Sequence, residues 1–360
     1  MTPPRLSREQ VLAFRVHAQQ LGRRAGTVAD TAVLDLGVQD TGPDGGAWAL
    51  ALRGLTDVPA DELALAWTLR GAPHLYRRED LPGVAAATAP FSDDDAAKRI
   101  FDAAKPLKAA GIPVLEALDT VAAAMRDVVR EPTVKGDLSG ALNARLPEPY
   151  QRFCRSCDAV HVYEQPFRLA ALRAGLELEP GTSPPVLRPV PGFAPAPEVP
   201  QHLDVVRGCL RLLGAATPAQ VAGYLDARVA EVKAHWPADA VEVDVEGQQR
   251  WLLGTPAAVP ELPDGVLLLG PFDLFLQARD RDLLVPDPAK AKTLWPVLGR
   301  PGAVLVGAEV AGTWRARRAG ARMSLAVTPW SDVPDAALAE QAERLASFRG
   351  LSLSALDVEK

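Results

Sequence analysis

Cysteine is scarce in this chain. Three residues in 360, an odd number, cannot build a disulfide framework and fit a reducing compartment. Long apolar runs are also missing. The strongest, around Val266–Leu269, is far too short to span a bilayer. The first twenty residues form a charged amphipathic segment, not a basic-then-apolar leader. The expected location is therefore the cytoplasm, with no membrane partner. No Walker-type loop, Rossmann glycine fingerprint or His-Glu-x-x-His motif is present. Nucleotide hydrolysis, dehydrogenase and metalloprotease chemistry have no support, and no cofactor or nucleotide partner is expected. Lysine is rare as well, with Arg outnumbering it 31 to 8.

What is present is enough apolar material, 48% of residues against 23% charged, to bury the cores of two to four modules. The net charge of −6 speaks against a nucleic-acid partner for the chain as a whole. Phosphate binding depends on local patches, however, and Arg is the better bidentate phosphate ligand. The arginines cluster: Arg23 and Arg24; Arg70, Arg77 and Arg78 with His74; Arg315, Arg317, Arg318 and Arg322. Codon bias toward Arg is an equally good reading of the excess.

Along the chain, Ser7 and Gln10 have the spacing of a capping box, and an apolar face follows. Short helices are expected over 28–36 and 46–55, the second after the turn 42–45. A hairpin follows, with strands at 65–69 and 73–76 around Gly71 and Ala72. Three helices and then a hairpin is the order of a winged helix. A second cycle would comprise helices over 94–108, 114–130 and 135–145, a strand in "AVHVYE" and a helix over 166–174. Residues 180–200 hold eight prolines, which reads as an extended connector. The third cycle is clearest. A helix over 201–213 precedes Thr217-Pro218, a strong helix start, then a helix over 226–236, then "AVEVDVEGQQRWLL", a hairpin turning at Glu246-Gly247. Beyond Gly265, short apolar strands separated by Gly, Pro and Asp suggest a small barrel closed by a helix over 335–348. The expected fold is α+β: tandem winged-helix domains (helix-turn-helix plus wing) with a C-terminal small β-barrel. The boundaries are 1–92, 93–180, a connector at 181–200, 201–262 and 263–360. Winged helices also serve as protein-interaction modules, so the fold alone does not establish nucleic-acid binding.

Three stretches in combination carry a resemblance: "LGVQDT", "AWTLRGAPHL", and "GPFDLFLQARDRDLLVPDP" followed by "VLVGAEVAGTWR". In this order and spacing the chain resembles the AlkZ-like winged-helix DNA glycosylase family, also described as winged helix DNA-binding domain proteins. The resemblance spans nearly the whole chain. It implies a duplex-DNA partner, a nucleoid-associated location within the cytoplasm, and removal of alkylated or adducted purines by hydrolysis of the N-glycosidic bond. The family's catalytic pattern is Gln, an apolar or small residue, then Gln or Asp. Gln39 matches the first position. Asp40 occupies the middle, and Thr41 departs from the third.

Alkylation at purine N7 or N3 makes the base a cationic leaving group. The protein then needs to hold a water near the anomeric carbon and stabilise an oxocarbenium-like centre. If residues 39–41 are extended, as Gly42-Pro43 favours, Gln39 and Thr41 share a face and Asp40 points away. The candidate catalytic set is Gln39, Thr41 and Asp40. The candidate DNA-binding set is Arg23, Arg24, Arg70, His74, Arg77 and Arg315. No lysine lies near the motif, so a Schiff-base lyase step is not suggested and the activity would be monofunctional. The alternative is a non-catalytic, regulatory DNA-binding protein that has lost the catalytic pair.

"CRSCDAVHVYE" offers Cys154, Cys157, His161 and Glu164 as potential zinc ligands. A structural zinc site usually draws its second ligand pair from a distant segment. Packed thiols are the expectation here, and no metal is assigned.

Overall fold

A computed structural model describes residues 3–43, 45–254 and 261–359. Asp44 of the expected turn at 42–45 and residues 255–260 before the last domain lie outside the described residues. The fold is mixed α+β. One hydrophobic core runs from Leu12 to Ala346, and a satellite formed by Val11, Ala215, Val243, Val245, Leu252 and Leu283 packs beside the third hairpin.

Six strands make the central sheet. Their order is Val38–Gln39, Pro73–Arg77, Leu63–Trp67, Leu176–Leu178, Val186–Pro189 and Thr133–Val134, with every pairing antiparallel. This sheet crosses the boundary expected at residue 92. It also enters the proline-rich stretch, where Val186–Pro189 pairs on both sides. Prolines flank Val186, Leu187 and Arg188 without interrupting them, so the N–H groups of Leu187 and Arg188 remain for the ladder, while that of Val186 donates to the Thr182 hydroxyl (3.1 Å).

The helix Arg8–Ala18 carries the capping box expected of Ser7 and Gln10. It packs on Val205–Leu212, and the preceding strand Arg5–Leu6 pairs with Ala240–Val245. The N-terminal segment therefore completes the third hairpin's sheet. In that hairpin, Ala240–Val245 turns into Gln248–Leu253 through Glu246 and Gly247, both at positive φ, the geometry of a two-residue primed turn. Upstream, Thr217 and Gln220 form a second capping box at Pro218–Leu225. Several expected helices differ: 201–213 splits at Asp204 into a 3₁₀ turn and the helix Val205–Leu212, and 226–236 shortens to Val229–Ala234. Residues 28–36 hold only one 3₁₀ turn, Ala32–Asp35. Residues 94–108 break into Asp93–Arg99 and Ala104–Ala109 at Phe101, whose φ is 53°.

The C-terminal region is not a closed barrel. Its five strands run in the order Val266–Leu269, Gly302–Val306, Glu309–Ala319, Arg322–Pro329 and Ser352–Val358. The first and last are not paired with each other. The helix Asp335–Phe348 makes the crossover that lets the last strand join in parallel, and it covers one face. That is an open sheet backed by a helix.

Buried ion pairs join the two ends of the chain. Arg53 uses all its guanidinium N–H groups on Gln19, the Ala49 carbonyl and both oxygens of Asp273 (2.8 and 2.9 Å). Asp280 accepts from Arg15 at 2.7 Å and from Arg250 at 3.1 Å. The segment between Asp273 and Asp280 is thereby pinned under the N-terminal region.

Candidate active site

The strand Val38–Gln39 is short, but it fixes the motif. The Asp40 N–H donates to the Pro73 carbonyl (2.9 Å), so the chain stays extended through residue 40. Extended backbone sends alternate side chains to opposite faces. Asp40 turns one way, and its Oδ1 accepts from the Gly46 amide (2.8 Å) at the start of the helix Gly45–Ala51. Gln39 and Thr41 meet on the other face, with Gln39 Nε2 donating to Thr41 Oγ1 at 3.0 Å.

The Gln39 carbonyl oxygen accepts two hydrogen bonds, from Arg70 Nη2 (3.0 Å) and from Gln277 Nε2 (3.2 Å). Arg has only donors, so the amide atom facing it must be the oxygen. Gln277 is oriented in turn by donating to the Phe272 carbonyl (3.2 Å), inside the segment pinned by Asp273 and Asp280. Arg70 is oriented by donating to the Tyr224 carbonyl (2.7 Å) with its guanidinium over the Tyr224 ring, 4.6 Å from the centroid. Arg70 itself sits at φ 60°, ψ 17°, a left-handed conformation that is unusual for a residue with a side chain. That conformation lies in the turn between strands Leu63–Trp67 and Pro73–Arg77, and from it the side chain reaches Gln39.

His74 stands opposite Gln39 in the sheet register and is fully buried. Nδ1 faces the Ala72 carbonyl (2.9 Å), so that nitrogen carries the hydrogen. Nε2 is enclosed with no hydrogen-bond partner among the described residues. Burial first, then the Arg70 charge, drives the ring's pKa down to about 3. His74 is a neutral ring beneath the motif, not a groove-facing cation.

The other expected contacts separate. Arg77 is buried, with its donors on Asp35 (2.5 Å), Asp80 (3.1 Å) and the carbonyls of Val28 and Thr31. It locks the loop before the motif and has no free face for DNA. Arg23 forms a fork with Asp30 (2.5 and 3.1 Å), whose hydrogen bonds hold the Asp30 carboxyl at about 2. Arg24 is exposed, and so is Arg315, which donates to the Gly299 carbonyl at 2.7 Å.

Three cations that the sequence reading passed over gather near Arg70. Burial and then the Arg70 charge lower the pKa values of Arg279 and Arg300, and burial and then Arg300 lower that of Arg281. Arg279 feels the charges of Arg70, Arg281 and Arg300, so these guanidiniums lie close enough to repel. None of them has an ion-pair partner among the described residues. The signal was present in "QARDRD" and in the "GRPG" turn, but nothing local ties either to residue 70. Asp226 is the carboxylate whose charge interacts with Arg70 and Arg279, and it forms no direct ion pair with either, which leaves positive charge that a phosphate backbone would meet.

A family model, DNA glycosylase AlkZ-like, matches residues 36–348. The chain belongs to the DNA glycosylase AlkZ-like family. The match begins at Leu36, just before the motif, and ends at the last helix. The fold is also that of Streptomyces sahachiroi DNA glycosylase AlkZ, with a TM-score of 0.75 over 99% of this chain and 100% of that one at 20% identity. No curated protein matches the chain. Among the described residues, no helix is long and apolar enough to cross a membrane.

Proposed function

We propose that the protein is a monofunctional DNA glycosylase that hydrolyses the N-glycosidic bond of alkylated or adducted purines in duplex DNA. Its tandem three-helix-and-hairpin units serve as winged helices, and it acts on chromosomal DNA in the cytoplasm without a cofactor. The observation that carries this reading is the Gln39–Thr41 hydrogen bond, held in place by Arg70 and Gln277.

In the bond-breaking step the base departs with the glycosidic electron pair, which neutralises its alkylation charge. A water oxygen then bonds to the anomeric carbon, and the water's proton passes to solvent. Thr41 Oγ1 takes one hydrogen bond from Gln39 and keeps a lone pair to receive a water hydrogen. Gln39 Oε1 already accepts from two donors. It can receive a water hydrogen when one of them turns aside, and a phosphate drawing on Arg70 would have that effect. The dipole of the pair faces developing positive charge on the sugar, which is the electrostatic requirement. Arg70, Arg279, Arg281 and Arg300 supply the phosphate contacts.

Release of N7-methylguanine from a defined duplex, followed by chromatography of the free base, tests the reading. Wild type should release base, Gln39→Ala should abolish release while keeping its unfolding midpoint, and Thr41→Gln should raise the rate. The second reading is a non-catalytic DNA-binding protein. It is favoured by Thr41 standing where the family pattern has Gln or Asp and by the double engagement of the Gln39 oxygen. Salt-sensitive duplex binding without any base release would establish the second reading and overturn the first.

A further inference from the structure

The hairpin Gln151–Cys154 and Ala159–Val162 is separate from the other sheets. A lone two-stranded sheet is marginal in water, and this one buries little. Of its strand residues only Val162 is buried, while Phe153 is 60% and Val160 45% exposed. Something other than a core should hold its tip.

The tip carries Cys154, Cys157 and His161. Expected packing of the thiols holds for Cys209, which is fully buried, but Cys157 is exposed and Cys154 half-buried. Cys154 pairs with Ala159 in register, so His161, two residues further, lies on the same face. The two sulfurs and a ring nitrogen of His161 all lie within 4.8 Å of one another. Zinc bonds of about 2.3 Å to sulfur and 2.0 Å to nitrogen bring tetrahedral ligands to about 3.5–3.8 Å, a closure within reach of side-chain rotation. Two further features suit a metal. The Ser156 hydroxyl lies between the two thiols, 3.1 Å from the Cys154 sulfur and 3.9 Å from that of Cys157. In addition, His161 Nε2 is enclosed without a hydrogen-bond partner among the described residues.

We propose that Cys154, Cys157 and His161 form a zinc site that staples this hairpin. Glu164 is not the fourth ligand, because Lys135 (2.7 Å) and Arg168 (2.5 Å) hold its carboxylate. A water completes the tetrahedron, as in other sites with three protein ligands. All three ligands come from one hairpin, so a distant second pair is unnecessary. The staple fixes the rim that displays Phe153, Arg152 and Arg155, and it is independent of the Gln39 site.

The test uses the untagged full-length protein, reduced and passed through gel filtration, with zinc measured by elemental analysis and Co²⁺ titrated by absorbance. One zinc per chain is expected, with a thiolate-to-cobalt charge-transfer band and a tetrahedral visible spectrum. Cys154→Ser and Cys157→Ser should each lose the metal, and His161→Ala should lose the tetrahedral spectrum. Cys209→Ser should keep one equivalent. Chelation should speed proteolytic cleavage within 151–162 without changing the unfolding midpoint of the main core. Absence of zinc and of the cobalt band in reduced wild type overturns the site, and so does full stoichiometry in the Cys154→Ser, Cys157→Ser double variant. A Cys154–Cys157 disulfide that takes up no metal after reduction overturns it as well.

Discussion

At the level of single residues, the site is a chain of orientations. Phe272 orients Gln277, Gln277 and Arg70 orient Gln39, and Gln39 orients Thr41. A neutral amide has no charge to set its direction, so its neighbours must do so. His74 contributes beneath the motif by staying neutral. Folded, its ring titrates near 3, and the unperturbed value is 6.5. Between those values the unfolded chain binds more protons than the folded one. This residue's contribution to stability is therefore complete above about pH 6.5 and falls as pH drops toward 3, at about 1.4 kcal/mol per pH unit. His74→Asn keeps a donor for the Ala72 carbonyl and removes the titration. Urea unfolding should show wild type losing about 2 kcal/mol more than His74→Asn between pH 6.5 and 5. Parallel profiles would show that the ring is not held neutral by burial.

At the scale of elements, close approach explains the entry to the motif. Gly37 has φ +87°, and a Cβ there would lie 2.5 Å from the Tyr76 hydroxyl oxygen. That hydroxyl is bonded to Thr68 (2.8 Å), which in turn contacts His74 Nδ1 (3.1 Å). Gly37→Ala meets both a disfavoured backbone and a fixed ring, so a loss of about 2 kcal/mol or more is expected in denaturant unfolding. An unchanged midpoint would mean that Tyr76 moves freely. The same elements show how much the sequence made legible. The capping box at Ser7, the helix start at Thr217-Pro218, the Glu246-Gly247 turn and the alternation of Gln39 and Thr41 were readable because a few adjacent residues determine them. The break at Phe101 was not readable, because it depends on a side-chain-bearing residue adopting a left-handed conformation. The sheet shared by residues 38–189 and the bond from Gln277 to Gln39 depend on partners up to 238 positions apart. The barrel expectation failed for a related reason. Apolar strands reveal a sheet, while closure depends on whether Val266–Leu269 meets Ser352–Val358, and the helix before the last strand returns it in parallel on the far edge.

For the whole molecule, net charge and local charge diverge. The chain is acidic at −6, and most of its buried arginines are neutralised by carboxylates, as at Arg53, Arg15 and Arg77. Arg279, Arg281 and Arg300 lack such partners among the described residues, and burial together with the charges of Arg70 and of one another lowers their proton affinity. Maintaining such repulsion opposes folding, so it is expected where an anionic partner relieves it. Each phosphate neutralised should add about 0.9 to the magnitude of the slope of log K against log salt. The triple variant Arg279→Ala, Arg281→Ala, Arg300→Ala should therefore lose up to about 2.7 of that slope and weaken binding uniformly across duplex sequences. Arg70 stays in place in this variant, so the Gln39 side-chain oxygen keeps that donor. Arg77→Ala should behave in the opposite way, lowering stability with little change in slope, since its charge is spent on Asp35 and Asp80. Fluorescence anisotropy on a fixed duplex from low to moderate salt measures both. An unchanged slope in the triple variant would move the DNA surface away from these arginines and toward the exposed Arg24 and Arg315.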